Sequence, residues 1–211
     1  MNQRFKTHLF WGSHSPFALF TGTALIILAS SRLVFALVSS AALIWVYGLT
    51  SLVFLNARKF MPVNGKMIIL LFLSTFFCGM YLLFLGFLNP LLTLGIFPFL
   101  MLIAPCCLGT NFYEASDSII PLDGFFRSLL EAMVLSGIIL ALALIREPLG
   151  MGTLSFPGGP QGIIELSFGN DAFVPVRLFS VSGGGILLFG YGVAVYRHFK
   201  ERNGRMPGEQ L

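Results

Sequence analysis

The chain has 211 residues, 56% hydrophobic and only 10% charged, with a mean hydropathy of +0.86 and a formal net charge of +4. Soluble domains carry about 25% charged residues, so composition excludes a water-soluble fold. The basic residues cluster at the ends of apolar runs, which excludes a nucleic-acid footprint and fits orientation in a lipid bilayer.

In chain order, six apolar segments read as membrane spans: residues 16–31, 33–55, 67–88, 90–108, 126–145 and 176–196. A spanning helix needs roughly 20 apolar residues to cross about 30 Å of hydrocarbon. No charged side chain interrupts 33–55 or 67–108, and Asn89-Pro90 divides the second run into two crossings. Helix is expected throughout, because an open sheet edge in lipid leaves backbone groups unsatisfied and the segments lack barrel-strand alternation. The expected fold is therefore an all-α integral membrane protein, residues 1–211 forming one domain. The first apolar stretch runs on into further spans without a small-residue cleavage site, so it reads as a retained span rather than a signal peptide.

Two connections stand out. Residues 109–125 are polar enough to leave the bilayer, with Thr110, Asn111, Glu114, Asp117 and Asp123. Residues 147–175 are rich in Gly and Pro and read as a structured loop with a short amphipathic piece near Ile163–Phe168. Trp11 and Trp45 fit interface anchors.

An even number of spans puts both termini on one side with the loops near 56–66 and 109–127. That side carries Arg4, Lys6, Arg58, Lys59, Lys66, Arg127, Arg197, Lys200, Arg202 and Arg205, ten of the thirteen basic residues. Arg32, Arg146 and Arg177 remain on the other. The positive-inside rule then makes both termini cytoplasmic, in a multi-pass protein of the cell's inner (cytoplasmic) membrane. An internal echo accompanies this: short spans 1 and 4 open with Ser15-Pro16 and Asn89-Pro90, and Gly22 mirrors Gly95. Such matching breaks suggest an inverted 3+3 repeat with short broken helices 1 and 4, although Pro also marks ordinary helix starts.

The candidate chemistry is sparse. Pro98 and Pro105 remove backbone donors from span 4, and a helix broken at membrane depth must be buried in protein or line a cavity. Cys106 follows that break and is either a soft ligand or a buried small hydrophobe. Cys78 reads only as a packing residue. Glu131, four residues after Arg127, is either half of an interfacial ion pair or a cation or proton relay, and Glu114, where span 4 leaves the bilayer, is either a second acid for such a path or a solvated loop acid. Arg146-Glu147 is expected to end span 5, with Pro148 stopping the helix. Gly183-Gly184-Gly185 lies inside span 6 with no strand before it, so it reads as a site of close helix approach rather than a nucleotide loop.

Leu94-Gly-Ile-Phe-Pro with a Cys ending span 4, Leu122-Asp-Gly, and above all Ile145-Arg-Glu-Pro-Leu-Gly-Met-Gly-Thr-Leu154 resemble the Rnf/Nqr membrane subunits. Those are the paired small subunits of ion-translocating redox complexes, and the last motif resembles the Rnf E / Nqr D branch. The resemblance covers nearly the whole chain in segment order. It implies six helices in an inverted repeat, cytoplasmic termini, and a non-catalytic subunit of a translocase that couples electron transfer to cation movement. It implies as partners a paralogous membrane subunit and subunits bearing flavins or iron–sulfur clusters. It further implies a [2Fe-2S] cluster shared with the paralogue, each subunit giving one cysteine from helix 1 and one from helix 4. The helix-4 ligand falls on Cys106, with Cys107 as an alternative register. The helix-1 ligand falls on Ala24, so the ligand set is expected to be incomplete. A secondary transporter or transporter component of the same fold, without a redox role, is the alternative.

Overall fold

The computed structural model describes residues 16–57, 66–108, 121–158, 163–167 and 176–204. In order these form α1 (Pro16–Ala29), α2 (Leu33–Ala57), α3 (Lys66–Leu88), α4 (Pro90–Met101), α5 (Ile103–Leu108), α6 (Pro121–Met151), β1 (Thr153–Pro157), β2 (Ile163–Ser167), a 3-10 turn (Arg177–Phe179) and α7 (Ser182–Gly204). Four of the described segments are long and apolar enough to cross a membrane: Leu33–Ala57, Ile68–Leu88, Pro90–Cys107 and Gly124–Met151. The protein is thus mostly helical with several membrane-spanning candidates.

The centre of the fold is the pair α2–α6. Leu33 at the start of α2 meets Glu147 near the end of α6, and Ser136 of α6 donates to the Ser40 carbonyl at 3.3 Å. The α6 partner number falls as the α2 number rises, so the two helices run antiparallel. Each side of this pair receives further helices: α3 and α6 pack on α2, α4 and α5 pack on α3, and α1 packs on α5, α6 and α7. The core follows the same line, from Leu25 and Ala29 on α1 through Val34, Leu43 and Tyr47 on α2 to Ile139 and Ala143 on α6.

Prolines and glycines place the breaks. Asn89 caps α4, its side chain accepting from Leu92 N at 3.2 Å with Pro90 in the first turn. The interruption between α4 and α5 falls at Leu102, earlier than Pro105 itself. Pro105 has no N–H for the Met101 carbonyl, so the ladder fails one turn upstream. Pro98, by contrast, stays inside α4.

Several expectations are corrected. Helix α1 is short but unbroken, 14 residues or about 21 Å at 1.5 Å per residue. Span 5 does not end at Ile145: α6 carries Pro148 inside it and runs to Met151. Its last turn is held from outside by the anchors of Arg146 and Glu147 and closes on Gly152, whose φ of 68° is a left-handed helix end. The connection 147–175 is structured where it is described, and a two-stranded hairpin is added to the otherwise helical fold. Its amphipathic piece is strand β2, paired antiparallel with β1 in the register Thr153↔Ser167, Ser155↔Glu165, Pro157↔Ile163. Residues 176–196 begin as a 3-10 turn, and the helix proper starts at Ser182. Trp45 is the middle residue of α2 and 47% exposed, so it does not mark an interface; Trp11 lies outside the described residues.

Candidate functional site

Two polar centres are built into this apolar frame. The first is made by Arg146 and Glu147, which are 2% and 1% exposed. A helix leaves its last four carbonyls and first four amides without internal partners. Arg146 supplies donors to such carbonyls: Nη1 to Ile27 O at 2.7 Å and Ser30 Oγ at 3.2 Å, Nε to Phe179 O at 2.8 Å, and Nη2 to Ser180 O at 3.1 Å. Glu147 does the converse, its Oε2 accepting from Leu33 N at 2.6 Å. The next amide of α2, Val34 N, is reached by Ser155 Oγ of β1 at 3.4 Å. Cation at a helix C-terminus and anion at a helix N-terminus are the pairings that the helix dipoles favour.

Small residues let this centre close. A Cβ on Gly185 would stand 2.9 Å from Arg146 Nη1, one on Gly184 would run into Leu178 O, and one on Gly150 would stand 2.7 Å from Ser180 N. The glycine triplet thus serves the close approach expected of it, at Gly184 and Gly185, whereas a Cβ on Gly183 would meet nothing within 4 Å. Above the centre, Arg32 pairs with Glu165 of β2 at 2.8 Å. Arg32 and Arg146 therefore lie at one end of the bundle, and Arg177 opens the turn whose end Arg146 binds.

The second centre lies near the middle of α2. Tyr47 is fully buried, and its hydroxyl donates to Cys106 Sγ at 3.6 Å. Gly22 of α1 faces the same sulfur: a Cβ there would lie 3.9 Å from Cys106 Sγ. The half-buried Glu131 is close enough to interact electrostatically with both Tyr47 and Cys106, as the α2–α6 register requires. Cys107 is buried beside Cys106, and Cys78 Sγ donates to Leu100 O at 3.0 Å. Ser74 reaches the Ala104 carbonyl at 3.4 Å, next to the α4–α5 break. Thr50 Oγ1 and Ser40 Oγ are buried on α2 without a hydrogen-bond partner among the described residues.

The structure thus brings Cys106 and Glu131 into one neighbourhood. Glu114 lies outside the described residues, as does the side chain of Arg127, the expected partner of Glu131. Ala24 lies on α1 two residues after Gly22, so where Cys106 meets α1 it finds a glycine and no thiol. No group of three or more His, Cys, Asp or Glu side chains able to hold a metal occurs among the described residues. Tyr47 is the member that sequence reading missed; the available signal was a tyrosine followed by Thr50-Ser51 in a helix without charges. Arg146 and Glu147 were read as a helix end, although adjacent opposite charges before a proline in an apolar run signal a buried pair of caps.

Comparison with family models and with curated proteins finds no match to this chain.

Proposed function

We propose that this protein is a six-span membrane subunit of an Rnf/Nqr-type complex, built as an inverted 3+3 repeat with both termini cytoplasmic. The observation that carries this reading is the packing pattern. Take α4 and α5 together as span 4, α6 as span 5 and α7 as span 6, and exchange 1 with 4, 2 with 5 and 3 with 6. The pairs 1·4 and 2·5 map onto themselves; 2·3 maps onto 5·6, 3·4 onto 6·1, and 2·4 onto 5·1, and each of these pairs is packed. A two-fold repeat produces such exchanges, and the short spans 1 and 4 meet where Cys106 faces Gly22. The Arg-Glu-Pro-Leu-Gly run that carries the family resemblance forms the Arg146–Glu147 centre, which sets where α1 ends and α2 begins.

In this reading the chain does not supply its half of a [2Fe-2S] cluster. It serves as a non-catalytic subunit beside a paralogue and redox-bearing partners, with Glu131, Tyr47 and Thr50 as the polar lining available to a cation path. Affinity purification from native membranes in mild detergent tests it. Recovery of flavin- and iron-bearing partners is expected, with iron and sulfide content unchanged by Cys106→Ser. A chain that purifies alone from intact membranes overturns membership of the complex. The second reading, a secondary transporter, is favoured by Ala24, which stands where the family's helix-1 thiol is expected, and substrate uptake by the isolated protein in proteoliposomes would establish it.

A further inference from the structure

The β1–β2 hairpin is built the wrong way round for a loop in water. Cross-strand pairing puts Ser155 and Glu165 on one face, and both bind the start of α2 and the turn before it, the buried Ser155 at Val34 N and Glu165 in an exposed ion pair with Arg32. The opposite face carries Leu154 against Leu166 and Phe156 against Ile164, Leu154 being partly buried against the core. Phe156, Ile164 and Leu166 are 39%, 49% and 57% exposed. An antiparallel ribbon with one solvated face normally turns its polar side chains outward. A two-stranded hairpin is also marginal in water by itself.

The exposed surface of α6 is apolar as well. Exposed side chains recur along the helix at Leu130, Val134, Gly137, Ala141 and Leu144 with helical spacing, and Leu149 is exposed near the helix end. The Leu149 carbonyl then accepts from Val176 N at 2.9 Å, which brings the exposed Val176 and Leu178 beside that helix end. Between them Arg177 is exposed and makes no ion pair among the described residues. An exposed cation flanked by exposed aliphatic side chains suits the boundary between acyl chains and phosphates.

We infer that the hairpin and the Val176–Leu178 turn form an interfacial shelf, lying on the bilayer with Phe156, Ile164 and Leu166 in the acyl boundary and Arg177 at the phosphate layer. The occupant of this surface is phospholipid. The shelf seals the end of the bundle where Glu147 and Arg146 would otherwise face the headgroup region. It rests on membrane insertion alone and stands whether or not the redox reading does.

Spin labels at Ile164→Cys and, as a second site, Leu166→Cys test it in nanodiscs of phosphatidylethanolamine and phosphatidylglycerol. The native thiols are buried and leave the introduced one as the labelled position. Collision with oxygen is expected to exceed collision with a water-soluble nickel chelate at both sites, as at a Leu144→Cys reference on the exposed surface of α6. Nickel preference at both sites would put the hairpin in water and overturn the shelf. Exclusion of both probes would overturn it too, by showing that protein covers this face.

Discussion

Arg146 and Glu147 are neighbours in the chain yet bind helix ends of opposite polarity, Arg146 the carbonyl end of α1 and Glu147 the amide end of α2. The α1–α2 turn, residues 30–32, is thereby held from both sides by two consecutive residues of a third helix. Neither charge needs the other, because each is neutralised by backbone dipoles and satisfied by hydrogen bonds.

Arg146→Met removes four hydrogen bonds and takes the guanidinium from the part-buried Phe179 and Ser180 carbonyls, while Ile27 O keeps Ser30 Oγ. A loss on the order of 3 kcal/mol is expected. Thermal unfolding in detergent, followed with a thiol-reactive dye, should show a clear fall in midpoint. Arg146→Lys should recover only part of it, since an ammonium cannot reproduce the guanidinium fork. An unchanged midpoint in both variants would mean that α1 is held by other contacts.

Glu147→Gln keeps an acceptor for Leu33 N but loses the charge that complements the α2 dipole. Glu147→Ala loses both. The expected order of stability is wild type, then Gln, then Ala, with the first step about 1 kcal/mol. Equal losses for Gln and Ala would show that charge alone matters.

Gly184→Ala drives a methyl into the backbone of Leu178, and Gly183→Ala enters open space. The first should cost roughly 1–3 kcal/mol by overpacking. The second should be neutral or stabilise by up to about 1 kcal/mol, because alanine gives up less backbone entropy in a helix. Melting curves of the two single variants separate these outcomes.

Arg32 and Glu165 form an ion pair whose side chains are 33% and 51% exposed. A double-mutant cycle with Arg32→Gln and Glu165→Gln should give a coupling below about 1 kcal/mol, falling further in high salt. A much larger coupling would show that the pair is shielded from solvent in the native membrane.

Cys78, Cys106 and Cys107 are all buried. Maleimide should leave them unmodified in the folded protein and label all three after denaturation, read by mass spectrometry. Rapid native labelling of Cys106 would show that α1 leaves Gly22's place against its sulfur.

Membrane insertion and the helical segments were legible in the chain itself, because long charge-free runs admit no other solvent. The expected starts of spans 2 to 4 fall within a residue of the helices observed, since proline, asparagine and charge mark ends locally. Cysteine 106 beside a helix break could also be read there, as could the close approach of the glycine triplet. The hairpin could not: β2 pairs with β1 across a Gly/Pro connection, and pairing depends on two strands meeting.

The same limit applies at the chain's two charges deepest in α6. Sequence determined that Arg146 and Glu147 stand together before a proline at the edge of an apolar run, and that the first helix has alanine at position 24. Only the tertiary structure decided that these charges cap other helices, that Tyr47 meets Cys106, and that Gly22 is what Cys106 faces on α1. The physical reason is range. Hydropathy, proline and glycine act within a turn or two of their own position. The partners of these buried charges lie far outside that range, Arg146 with Phe179 at a separation of 33 and Glu147 with Leu33 at 114, and are chosen by the packing of whole helices.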